Sequence, residues 1–108
     1  MVDPQAQPIS RGAITINPTT RQVFIAQDKE IVLTAKEFDL LWFLMNHPGQ
    51  VFTRDQLLDN VWGYDFFGDG STVTVHVRRL REKIEQEPTK PEYVLTVWGV
   101  GYKFAPLE

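Results

Sequence analysis

The chain has 108 residues and a formal net charge of −3 at pH 7, with 43% hydrophobic and 23% charged residues. That is one domain's length. It can bury roughly two-thirds of the unfolded chain's surface, and the composition excludes wholesale disorder. The absence of cysteine excludes a disulfide scaffold, a thiolate zinc site and a cysteine nucleophile; no apolar run approaches the roughly 20 residues of a membrane span, and no basic-then-apolar N-terminus signals export.

Residues 1–8 are polar with two prolines and read as a linker or expression remnant, which places the domain at 9–108. The run Ala13 to Asn17 alternates and ends at the turn signal Pro18-Thr19-Thr20. Gln22 to Ala26 is β-rich, Asp28-Lys29 breaks it, and Glu30 to Leu33 follows. Short β-rich runs divided by turns predict a small antiparallel sheet.

The pattern then turns helical. Thr34-Ala35-Lys36-Glu37 is a capping box, in which the hydroxyl accepts from the third helical N–H and the glutamate reaches back. The predicted helix runs through Phe38, Leu41 and Met45 and stops at His47-Pro48-Gly49, where His47 suits a C-terminal cap. Thr53-Arg54-Asp55-Gln56 repeats the box and opens a short helix with Leu57, Leu58, Val61 and Trp62 inward. A loop over 63–70 follows, then a third helix over 71–86. Two β runs close the chain, Tyr93 to Val97 and Tyr102 to Phe104, joined by Trp98-Gly99-Val100-Gly101.

The third helix carries the chemistry. At 100° per residue, Val73, Val77, Leu80 and Ile84 form one core stripe. Thr72, Val75, Arg79 and Lys83 lie opposite, flanked by Arg78 and Arg81 on one side and His76 on the other. Residues 1–70 hold five basic and nine acidic side chains, whereas Arg78 to Lys83 hold four basic and one acidic. Local potential steers a ligand, not the total. Small and apolar residues near the N-terminus of this helix, followed by cations, suit a major groove: a branched methyl meets thymine and arginine forks onto guanine. Glu82, Glu85 and Glu87 would repel phosphate, so that end is expected to leave the duplex. The plain alternative is a solvated basic face. The cations of this helix, Lys83 among them, are expected to reach phosphate oxygens on the groove walls, and Lys103 and Tyr102 of the terminal hairpin are further candidates for phosphate.

Leu33 to Leu41, Gln50 to Leu58, Val61-Trp62-Gly63, Thr72 to Ile84 and Gly99 to Phe104 together resemble the OmpR/PhoB family of winged-helix effector domains of bacterial response regulators. The resemblance covers about residues 9–105. It implies an α+β winged helix-turn-helix: a four-stranded antiparallel N-terminal sheet, a three-helix bundle and a C-terminal hairpin wing over 93–104. It carries base contacts onto Thr74, Val75 and Arg79. It carries phosphate contacts onto Thr72, His76, Arg78, Arg81 and Thr96, with Trp62 close to the backbone. The loop holding Tyr64, Asp65, Phe66, Phe67 and Asp69 matches the segment members use to touch RNA polymerase; alternatively Tyr64 and Phe66 simply pack beneath it. Several members place an arginine in the wing where Trp98 stands, and some have arginine at the position of Ser71. An indole cannot supply that cation, so a weaker or different minor-groove contribution, or packing of Trp98 on the sugar–phosphate wall, is expected.

The resemblance also implies tandem half-sites in double-stranded DNA, a receiver domain and a sensor kinase as partners, and a cytoplasmic location. A receiver cannot be placed within these residues, so the chain reads as an isolated effector, monomeric without DNA. No cofactor, metal or catalytic residue is expected. His47 and His76 are far apart, Ser10 and Ser71 lack a neighbouring base, and Asp65 and Asp69 lack calcium-loop spacing. A winged helix used only for protein contacts is the remaining alternative; it would not need Arg78, Arg79 and Arg81 around a Thr/Val face.

Overall fold

Alternation puts Ile14 and Ile16 of β2 (Ile14–Asn17) on one side of a strand, and both are fully buried beside Val23 of β3 (Gln22–Ile25). The computed structural model describes residues 2–3, 5–64 and 66–106. Two more strands, β1 (Ile9–Arg11) and β4 (Lys29–Ile31), complete an antiparallel sheet in the order β1-β2-β3-β4. Ile16 pairs with both Ile9 and Val23, so the buried residues lie in register across the sheet. Lys29, expected to break the β run, instead opens β4. The turn before it contains Ala26 and Gln27 at φ 55° and 76°. Part of the polar prefix also belongs to the domain, since Val2 packs against the core.

Both capping boxes form. The Thr34 hydroxyl accepts from the Glu37 N–H, and Glu37 accepts from the Thr34 N–H at 3.0 Å, opening α1 (Ala35–Met45). Phe38, Leu41, Leu44 and Met45 face inward. At the other end Nδ1 of His47 donates to the Phe43 carbonyl at 2.8 Å, the expected cap, and Arg11 of β1 donates to the Met45 carbonyl. These two groups satisfy carbonyls that the end of a helix leaves open. Thr53 and Gln56 box the start of α2 (Arg54–Leu57). It continues as a π-helical turn, Leu58–Trp62, which ends at Gly63 with φ 101°. Leu57, Leu58 and Val61 are buried, whereas Trp62 is only half-buried.

The third helix, α3 (Gly70–Ile84), starts one residue earlier and ends two residues sooner than expected. Val73, Val77, Leu80 and Ile84 are buried, so the helical phase matches the stripe. The terminal hairpin, β6 (Val94–Val97) with β7 (Gly101–Phe104), gains a third strand, β5 (Phe52–Thr53), in the order β5-β7-β6. The wing is therefore anchored to the residues that open α2. One core joins the four-stranded sheet, α1, α3 and the wing root through Leu41, Leu80, Val94 and Phe104. Among the described residues no helix is long and apolar enough to cross a membrane.

Candidate nucleic-acid interface

The face of α3 opposite its core stripe is open. Thr74, Val75, Arg78 and Arg79 are exposed, Val75 at 41%. Neither Arg78 nor Arg79 has a side-chain partner among the described residues. An exposed branched methyl beside two unpaired guanidinium groups has no structural task on a helix already anchored by four buried aliphatics. The helix begins at Asp69, whose carboxylate accepts from the Ser71 N–H at 2.9 Å and from the Ser71 hydroxyl. Those bonds hold the Asp69 pKa below the ordinary carboxylate value. Asp69, placed by the sequence reading among the loop residues for RNA polymerase, thus caps α3. The string Asp-Gly-Ser-Thr was a legible N-cap signal.

His76 sits at the edge of this face. Its Nδ1 donates to the Thr72 carbonyl at 2.8 Å, which directs Nε2 away from the helix backbone. The ring meets Trp62 edge-on at 4.9 Å between centroids, and Trp62 meets Phe66 at 6.2 Å. Phe66 is therefore partly packed, as the plainer reading of the loop has it, but Tyr64 and Phe67 are 87% and 103% exposed. Asp65 lies outside the described residues.

The fold turns Lys83, Tyr102, Arg81 and Thr96, all expected on phosphate, toward partners within the protein. The Lys83 ammonium bonds Glu37 at 2.5 Å, on the side where α1 begins. Burial alone would raise the Glu37 pKa; the Lys83 ammonium, with the Thr34 N–H and hydroxyl, outweighs it and holds the carboxyl below its ordinary value. Tyr102 faces the core, 9% exposed, with the Arg81 guanidinium 5.7 Å above its ring centre. Arg81 turns toward the wing: Nε donates to the Val94 carbonyl at 2.9 Å and Nη2 to the Thr96 hydroxyl at 2.7 Å. Thr96 is thereby engaged as well. Burial lowers the Arg81 pKa, and Tyr102 and Glu85 act the other way through their charge. Lys103 is half-buried on the other face of the hairpin, across from Leu95.

Arg81 is thus the fork that fastens α3 to the wing. Only two of its five N–H donors are used in these bonds, which leaves donors for phosphate. Replacing Arg81 by lysine keeps the charge but loses the fork. We expect Arg81→Lys to lower the unfolding free energy by about 1–2 kcal/mol in urea titration. The expected salt dependence of DNA binding is unchanged. A variant as stable as the parent would show that the fork contributes nothing.

Glu85, expected to be an exposed repulsive charge, is 7% exposed. Its carboxylate accepts from the backbone N–H groups of Glu92, Tyr93 and Val94. Arg54 is a residue the sequence reading missed. Its side chain lies across the first turn of α3, donating to the Thr74 hydroxyl at 3.3 Å, and a Cβ at Gly70 would sit 3.0–3.3 Å from it. It also lines a cleft shared with the wing tip. Its place in the second capping box drew attention to its neighbours Thr53 and Gln56, not to the guanidinium.

Trp98, at the wing tip, is 89% exposed. No group of three His, Cys, Asp or Glu among the described residues could hold a metal ion.

Comparisons with known proteins agree with this geometry. Residues 28–104 match the family model described as "Transcriptional regulatory protein, C terminal". The uncharacterized transcriptional regulatory protein YclJ of Bacillus subtilis is 53% identical over 96 residues, 89% of this chain and 41% of YclJ. The response regulator DrrB of Thermotoga maritima, described as an OmpR/PhoB homologue, superposes with a TM-score of 0.84 at 36% identity, covering 92% of this chain and 44% of DrrB. The RstA DNA-binding domain of Klebsiella pneumoniae, solved in complex with the RstA box, superposes with a TM-score of 0.83 at 40% identity, covering 94% of this chain and 99% of that one. The chain spans less than half the length of YclJ and DrrB. It belongs to the OmpR/PhoB family of response-regulator DNA-binding domains.

Proposed function

We propose that this domain binds double-stranded DNA sequence-specifically and regulates transcription as the effector half of a two-component response regulator. The observation that carries the reading is the open α3 face, with Val75 and Arg79 accessible and nothing in the fold to occupy them. In this reading α3 enters the major groove, Thr74, Val75 and Arg79 meet base edges, and Thr72, His76, Arg78 and Arg54 hold phosphates, with Trp62 supporting His76 from behind. Arg81 clamps the wing and keeps donors for the backbone. The cytoplasm is the compartment that suits such a role, and the role is binding, not catalysis.

The complete regulator would add a receiver domain that a sensor kinase phosphorylates. Receiver pairing would raise the effective concentration of paired effectors, which suits tandem half-sites. The exposed Tyr64 and Phe67 support assigning the loop after α2 to RNA polymerase. Lys83 and Tyr102 have no part in this assignment.

Selection of bound duplexes from a random pool, followed by titration at several salt concentrations, tests the reading. With about three phosphates neutralised, by Arg54, Arg78 and Arg81, log K should fall with log salt at a slope of roughly −2 to −3. Arg79→Ala should cost about 1–3 kcal/mol and relax preference at one base pair. Equal weakening on all sequences would make Arg79 a phosphate contact. No duplex affinity at any salt would leave a module for protein contacts only.

A further inference from the structure

The orientation of the His76 ring fixes which of its nitrogens carries hydrogen. Nδ1 lies 2.8 Å from the Thr72 carbonyl, one turn back on α3. A carbonyl can only accept, so Nδ1 is the N–H, and in the neutral ring Nε2 is a bare lone pair. Turning the ring over would lose the Thr72 bond, and Trp62 packs against the ring at 80° with 4.9 Å between centres. Nε2 has no hydrogen-bond partner among the described residues and is not buried, so it opens to solvent at the edge of the recognition face.

No carboxylate serves this ring. The charged groups on the elements around it are Arg79 and Lys83 on α3, Asp69 at the α3 cap, Lys36 and Glu37 at the start of α1, and Asp59 on the π-helical turn. Glu37 accepts from Lys83 and from the Thr34 N–H, and Asp69 accepts from Ser71. Lys36 donates to the Val61 carbonyl and pairs with Asp39, and Asp59 is exposed. None of the ion pairs among the described residues includes His76. A phosphate oxygen would be the first anion that this imidazole meets.

We propose that His76 makes duplex binding proton-linked: its ring takes up one proton at Nε2 as it meets a phosphate, so the domain holds DNA more tightly as pH falls through neutrality. This rests on the DNA reading above and adds a means of regulating it. A phosphate oxygen has no hydrogen to give, and against a neutral ring it would face the Nε2 lone pair. A direct bond forms only when solvent supplies a proton to Nε2, while the Nδ1 hydrogen stays on the Thr72 carbonyl. An imidazole without an anionic partner changes charge between about pH 5 and 8, and an adjoining anion favours its cation. The complex then carries more protons than its separate parts, so log K falls as pH rises, by up to about one per pH unit for each domain. Two domains on tandem half-sites would double that dependence.

The test titrates a duplex selected by the parent chain at about pH 6 and pH 8, the span over which an imidazole titrates. The parent should bind roughly fivefold more tightly at the lower pH, with a salt slope steeper by about half to one unit because one more phosphate is neutralised. Calorimetry at about pH 7 in two buffers of different ionisation enthalpy counts the protons without any variant, and should find about half a proton taken up per bound domain. His76→Gln should lose both the pH dependence and the proton uptake. His76→Lys, a cation throughout this range, should bind with the same affinity and the same salt slope at both pH values. His47→Gln should keep the parent's pH dependence, since His47 caps α1 and has no place on the α3 face. Parent binding that does not change with pH, or a pH dependence that survives in His76→Gln or His76→Lys, overturns the proposal while leaving the DNA reading intact. A parent chain that binds no duplex at either pH removes both.

Discussion

Replacing Gly101 by alanine should destabilise the domain by about 3–5 kcal/mol and abolish DNA binding at temperatures where the parent is folded. A Cβ built at Gly101 is driven into the carbonyl oxygen of Phe52 and against the backbone of Thr53. Backbone cannot swing aside as a side-chain tip can. Relief requires β5 to part from β7, which pair through Thr53↔Gly101 and Phe52↔Tyr102. Phe52 and Tyr102 are both buried, so separating the strands also opens the core beneath the wing. Gly99 provides the contrast. A Cβ there meets nothing within 4 Å, but its φ of 79° penalises any other residue. Gly99→Ala should cost only about 1 kcal/mol. Urea unfolding of the two variants separates the mechanisms, and equal costs would show that close approach is not what position 101 demands.

That pairing illustrates what the sequence could and could not disclose. The two capping boxes were legible because every group in them lies within four residues. The α3 core stripe was legible because its four aliphatics repeat at helical spacing. The exposed face followed from the same wheel. By contrast β5 has two residues, too few for any period, and exists because β7 is there to receive it. The first strand hid behind a polar prefix. Lys83 and Arg81 sit on or beside the basic face by angle alone, but both are long enough to reach back to partners 46 and 13 residues away. Charge on a wheel says where a side chain starts, and tertiary partners decide where it ends. Asp69 and Arg54 were hidden for another reason: Asp69 ends an aromatic loop whose side chains dominate its pattern, and Arg54 lies inside a capping box that Thr53 and Gln56 complete without it.

Truncation of Glu85 should have an effect as large as that of Gly101→Ala by a different route. One carboxylate accepts the N–H groups of Glu92, Tyr93 and Val94 at 2.8–3.2 Å, closing the connection from the end of α3 to the start of β6. Val94 is fully buried and Tyr93 half-buried, so removing the acceptor leaves donors that water reaches poorly. At about 1–3 kcal/mol for each buried orphan, Glu85→Ala should cost about 3–5 kcal/mol. Glu85→Gln retains one oxygen but turns an NH2 toward a backbone N–H, and should fall between alanine and the parent. Amide exchange supplies the local readout. The N–H groups of Tyr93 and Val94 should exchange much faster in both variants, while Leu41 and Leu44 of α1 change only with global stability. Because Arg81 holds the Val94 carbonyl, freeing this segment also slackens the clamp between recognition helix and wing. Loss of wing contact should then appear as weaker binding to the selected duplex in Glu85→Gln, even where the protein remains folded. A Glu85→Ala protein with parent stability and protected amides at 93 and 94 would show that the carboxylate is not what joins the two elements.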